Sequence, residues 1–141
     1  MIDDPSSPIL GGIGDCASGA YLNPGNNDRE LQVCSTVFDF NVSIGPNDTT
    51  TGARPLAPQG VVDGTSRLTF IAMTPTGMAI YQSAPDGIGT VTLTSNFESS
   101  GQPFEGTFSH VHMTLHSCTT QDCTSYPQTL SITGHFFGVA R

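Results

Sequence analysis

The chain contains no lysine and no tryptophan, and only four of its 141 residues are arginine. Against twelve acidic residues this leaves a formal net charge of −8. A phosphate backbone is held by several Lys or Arg side chains at once, so this scarcity excludes nucleic acid as a partner. It argues equally against anionic membrane surfaces. Long apolar runs are missing too. No window approaches the roughly 20 residues of a transmembrane helix, and Ile2-Asp3-Asp4-Pro5 is neither basic nor apolar, as a signal peptide would be. We therefore expect no membrane insertion and read Met1 as opening a mature chain. With no tryptophan and three tyrosines, platforms for stacking on sugar rings are scarce.

Helix-forming composition is also lacking. Charged residues make up 11 % of the chain, and its polar cover comes from Thr, Ser, Asn, Gln and Gly. Helices lean on Ala, Leu, Glu and Lys, so this balance suits an extracellular β-protein. The four cysteines, Cys16, Cys34, Cys118 and Cys123, fit neighbour pairing, Cys16 with Cys34 and Cys118 with Cys123. Their spacings do not match the short paired knuckles of zinc sites. Disulfides imply an oxidising setting, so a secreted, extracellular or periplasmic location is expected. Asn41 and Asn47 open glycosylation sequons, which matter in a eukaryotic source.

Residues 1–30 are rich in Pro, Gly, Ser and Asn and read as an irregular arm tied down by a disulfide, with a turn at "NPGNND". Residues 31–141 read as one antiparallel β domain. In "CSTVFDFNVSI", Phe38, Phe40, Val42 and Ile44 alternate with Asp39, Asn41 and Ser43, the period of a half-buried strand. "GPNDTTTGARPLAPQG" reads as a long loop, its prolines unsuited to a central strand. "SRLTFIAM" and "GMAIYQS" are strands about a "TPTG" turn, and "PDG" at Pro85 to Gly87 is a second turn. In "GTVTLTSNF", Val91, Leu93 and Phe97 point inward, and "SSGQP" turns the chain again. "EGTFSHVHMTLHS" and "QTLSITGHFFGVA" form the last hairpin. The fold class expected is all-β, an antiparallel β-sandwich or a small β-barrel with an irregular N-terminal arm.

That hairpin carries all four histidines. Val111, Met113 and Leu115 should face the core, which turns His110, His112, Thr114 and His116 outward together. Leu130, Ile132 and Phe136 face in, and Thr129, Ser131, Thr133 and His135 face out. A register placing His135 opposite or diagonal to His110 or His112 would gather the four imidazoles on one patch, with Cβ atoms about 5 to 8 Å apart. Neutral imidazole is a common ligand for Zn and Cu, so His110, His112, His116 and His135 are the candidate metal residues. A polar strand face rich in histidine is the plainer alternative, and an outward face alone supplies no groups to orient the rings. The same cluster could act as a pH-sensitive contact surface.

His-x-His on a strand is similar to cupin metal sites, but His116 stands near the place of the glutamate and the glycine spacing differs, so no role is carried over. "FEGTFSHVHM" followed by "LSITGHFFGVAR" resembles the closing strands of small secreted β-barrels of the dirigent and allene-oxide-cyclase kind. That resemblance implies a barrel and assigns no residue a role.

Other constellations are thinner. No serine sits in a Gly-x-Ser-x-Gly turn. Glu98, Glu105 and Asp39 read as solvated acids, and no catalytic residue is assigned. Asn26, Asn27, Asp28 and Glu30 offer oxygens for calcium but lack the spacing of a calcium loop. Phe137 and Val139 share the outward parity of His135, which suggests a covered edge or self-association. The function expected is a secreted, non-catalytic binding or structural module with a histidine patch able to take Zn or Cu. Its partners would be itself or another extracellular protein. The alternatives are a small barrel enzyme or carrier with the histidines inside, and a subunit of an extracellular filament or coat.

Overall fold

The computed structural model describes residues 19–22, 29–34, 38–45, 48–57, 60–74, 77–119 and 123–141. Among them the chain is nearly all β, with a short 3₁₀ turn at Cys123–Ser125 and no α-helix. The strands are β1 (Gly19–Leu22), β2 (Arg29–Cys34), β3 (Phe38–Ile44), β4 (Gly52–Arg54), β5 (Ser66–Thr74), β6 (Gly77–Ser83), β7 (Thr90–Ser95), β8 (Pro103–Cys118) and β9 (Thr129–Val139). All their ladders are antiparallel, in the order β1-β2-β3-β5-β6-β8-β7-β4, with β9 on the opposite edge of β8.

Among the described residues the first strand, β1, opens at Gly19, inside the stretch expected to be an irregular arm. The loop "GPNDTTTGARPLAPQG" contributes the three-residue strand β4, an edge strand beside β7 and just ahead of Pro55. Cys16, the "NPGNND" turn and Asn47 lie outside the described residues, as does the Cys34 side chain, so the expected Cys16–Cys34 pair lies there too. The Cys118–Cys123 disulfide is formed, with Cα atoms 5.9 Å apart.

Alternation along each strand builds the core. Phe40, Val42 and Ile44 of β3, Leu68 and Phe70 of β5, Val91 and Leu93 of β7, and Leu130, Ile132 and Phe136 of β9 are all buried. The sheet is not closed into a barrel, which corrects that branch of the expectation. It folds over on itself instead. Phe40 on β3 meets Phe108 on β8 with ring centroids 5.0 Å apart, although their strands are not neighbours in the ladder. Arg29 on β2 reaches the segment after β7, its guanidinium 5.3 Å from the centre of the Phe97 ring and its Nε donating to the Phe97 carbonyl at 2.9 Å. Phe104 links Phe97 to Phe136, with centroids 5.5 and 5.6 Å away. A buried aromatic of this kind stabilises the fold by about 3 kcal/mol or more, judged by truncation to alanine. Gly106 pairs with Phe136 across the ladder, and a Cβ on Gly106 would stand 2.7 Å from the Phe136 ring. The same Cβ would stand 2.3 Å from the Thr92 carbonyl of β7, so the missing side chain admits both the ring and the neighbouring backbone.

The loop around β4 is held by a polar hub. Arg54, almost fully buried, grips Asp48 with Nη2 at 2.8 Å and Nε at 3.1 Å. The Thr50 amide and hydroxyl and the Gly64 amide also donate to the Asp48 carboxylate. Burial pushes the carboxyl up, but Thr50 and then Arg54 outweigh it and hold the pKa at about 2. Asn96 ties the hub to the end of β7 by donating to the Asp48 and Thr50 carbonyls.

Candidate binding face

β8 is sixteen residues long and changes partner along one edge, from β7 at its start to β6 at its end, while β9 follows the other edge. The handover is a bulge. Phe108 pairs with Gly134 and Val111 with Ile132, so β8 advances from 108 to 111 while β9 moves only from 134 to 132. One residue is in excess, and side-chain parity flips across it. Phe108 and Val111 are therefore both buried, with Ser109 and His110 outside between them.

His110 sits at the bulge with φ of 50°, a left-handed conformation uncommon for a residue other than glycine. Its amide donates to Thr133 Oγ1 at 3.0 Å, and its ring Nδ1 lies 2.9 Å from Ser109 Oγ. His112 returns to the expected outward parity, opposite Ser131. It is clipped to the turn after β6 at three points. Its amide donates to the Ile88 carbonyl, its carbonyl accepts from Ala84, and its Nδ1 stands 3.0 Å from Asp86 Oδ2. The Pro85 to Gly87 turn itself closes as read, with the Gly87 amide donating to the Ala84 carbonyl. The Ile88 amide, and then the His112 ring, hold the Asp86 carboxyl below its usual range.

His116 is exposed at a second irregularity, where Ile80 pairs with Ser117 and Tyr81 with Leu115. His135 lies opposite Thr107. Along β9 it is two residues from Thr133, whose hydroxyl takes the His110 amide, so it stands diagonal to His110 and roughly 13 Å from the position facing His112. Among the described residues no group of three or more His, Cys, Asp or Glu side chains is placed to hold a metal ion. Of the four imidazoles, His112 has a carboxylate orienting its ring, as metal-binding histidines commonly do.

The outward positions form a larger feature that strand-by-strand reading missed. The registers place Asn41 beside Thr69, Thr69 beside Gln82, Gln82 beside Thr114, and Thr114 beside Thr129. An amide or hydroxyl side chain thus recurs on five adjacent strands, half-buried on four of them and exposed at Thr129. A depression of about 240 Å³ lies at one end, lined by Asn41 and Thr69 together with Glu30, Asp39, Ser43 and Arg67. Another, of about 360 Å³, lies at the other end, lined by Thr114 and Thr129 together with Asp86, His112 and Ser131. In the first, the buried Glu30 carboxylate accepts from Asn41 Nδ2 at 3.4 Å and, at a long 3.5 Å, from Ser43 Oγ, while Ser43 also donates to Asn41 Oδ1 at 2.9 Å. Glu30 is therefore turned into the face. Burial raises the Asp39 pKa. Arg67 Nε is buried without a hydrogen-bond partner.

Phe137 and Val139 are exposed as expected, by 58 % and 44 %, on the β9 segment that pairs with Glu105 and Pro103. No helix among the described residues is long and apolar enough to cross a membrane. No family model matches this chain, and no curated protein or solved structure matches it.

Proposed function

We propose that the protein is a secreted, non-catalytic binding module whose working surface is the polar outer face of the sheet. The observation that carries this reading is that two depressions share their lining with the two ends of one row of hydrogen-bonding side chains. A face of amides and hydroxyls flanked by Glu30, Asp39 and Asp86 suits an extended polar ligand. The Cys118–Cys123 disulfide and the absence of lysine support an oxidising, extracellular setting. Zn or Cu binding survives in a narrower form, as weak affinity centred on His112.

The test is mapping by NMR of a panel of soluble glycans, peptides and zinc or copper ions on the isotope-labelled protein. The reading expects amide shifts confined to the outer face of β3, β5, β6, β8 and β9. Shifts that map elsewhere, or none at all, overturn it. A second reading, a self-assembling subunit, is favoured by Phe137 and Val139, whose exposure would be relieved between copies. Light scattering tests it, and a monomer at high concentration sinks it.

A further inference from the structure

Resting on that reading, we propose that the ligand of the outer face is an extended, hydroxyl-rich glycan chain bearing amino groups, laid across the strands along the row from Asn41 to Thr129. Three observations converge on it.

The first is spacing. Neighbouring strands lie about 4.8 Å apart, so five adjacent row positions span roughly 19 Å, close to the length of four linked pyranose rings. A chain crossing the strands meets one amide or hydroxyl per sugar.

The second is chemistry. The row side chains Asn41, Thr69, Gln82, Thr114 and Thr129 are all short or planar hydrogen-bonding groups, and none is aromatic. Such a row recognises the hydroxyl edges of sugars and cannot stack on their faces. Ile71 and Ile80, paired two positions from the row on β5 and β6, add apolar contact along one side of it, and Ile71 also lines the first depression.

The third is charge. Glu30 and Asp39 stand at one end and Asp86 at the other, with Arg67 the one arginine lining either depression. The whole chain carries −8. This field attracts protonated amines and repels uronic acids. Shape adds a restriction. Adjacent strands rotate by about 20 to 25°, so a row crossing five of them is strongly twisted. It can follow one flexible chain but cannot lie flat on a crystalline polysaccharide surface.

The experiment is calorimetric titration of the full chain with glucosamine hexamer and dimer, glucose hexamer in the same linkage, and galacturonate hexamer. The hexamer of glucosamine is expected to bind at least tenfold more tightly than its dimer and than the other two hexamers. Gln82→Ala/Thr114→Ala should weaken it at least tenfold with an unchanged urea midpoint. The exposed substitution Asp86→Asn, which leaves the row intact, should weaken it severalfold and lessen its salt dependence. No binding of the glucosamine hexamer, equal affinity for the dimer or for galacturonate or glucose hexamer, or full affinity in both variants overturns the proposal. If NMR shifts from a peptide or metal ion still map to the face while every glycan fails, the binding-face reading stands and only the glycan assignment falls.

Discussion

Arg54 and Asp48 meet in a two-pronged ion pair, with Nη2 to Oδ1 at 2.8 Å and Nε to Oδ2 at 3.1 Å, and both side chains nearly withdrawn from water. Removing one partner strands the other charge in a buried site. Arg54→Ala should therefore destabilise the protein by about 3–5 kcal/mol in urea unfolding at neutral pH. Lysine should rescue it poorly, since a point charge cannot reproduce the fork that also donates to the Gly52 and Thr50 carbonyls. A loss below about 1 kcal/mol would show that the loop does not depend on the pair.

The same carboxylate sets an acid limit. Asp48 has a folded pKa of about 2, below the ordinary value near 4. Its contribution is thus complete above about pH 4 and is lost as pH falls toward 2. Asp86, also lowered, adds a loss of the same sign. Asp39, raised by burial, acts the other way, its protonation favouring the folded state. Stability measured from pH 6 to pH 2 should fall steeply at the acid end, and Asp48→Asn should flatten that fall. An unchanged acid limb in the variant would contradict the assignment.

The bulge in β8 makes a conformational prediction. With φ of 50°, His110 occupies a region that glycine enters freely and β-branched residues resist. His110→Gly should be neutral or stabilising by up to about 1 kcal/mol, and His110→Val should cost roughly 1–2 kcal/mol. Gly89→Ala should cost more. Its φ is +113°, and a Cβ would stand 2.4 Å from Val111 Cα, against backbone that cannot give way. Thermal unfolding of the three variants ranks them, and tolerance of Gly89→Ala would show that the bulge is not packed as described.

Metal binding should be weak. Among the described residues no three His, Cys, Asp or Glu side chains are placed to share an ion, and His135 lies four residues along β9 from the position facing His112. The purified, tag-free protein should carry no stoichiometric zinc or copper, and His112→Ala should remove what weak titratable affinity exists. A stoichiometric ion that survives dialysis would contradict this account and restore the patch.

Much of the fold was legible because strand parity is local. Val91, Leu93, Phe97, Met113 and Ile132 are buried where alternation puts them. The bulge is in the sequence too, since Phe108 and Val111 cannot share a face without an extra residue, but alternation counted back from Val111 puts Phe108 on the outer face and gives no local sign of the flip. The row was not legible. Each of Asn41, Thr69, Gln82, Thr114 and Thr129 is an ordinary outward residue on its own strand. Their alignment depends on registers set by long-range pairing, including the crossover that puts β8 beside both β6 and β7. The Asp48–Arg54 pair was hidden for another reason: its loop has no periodicity, and its partners are fixed by side-chain geometry.

The claim that the outer face is the working surface is tested most directly by a crossed comparison of Gln82→Ala/Thr114→Ala with Phe137→Ser/Val139→Ser, read by NMR against the same ligand panel. The account predicts that the first pair strongly reduces the shifts induced by the organic ligands while its own spectrum stays that of the folded protein, and that the second pair leaves them intact. Shifts lost in the second pair and kept in the first would place the working surface at the end of β9 and contradict it.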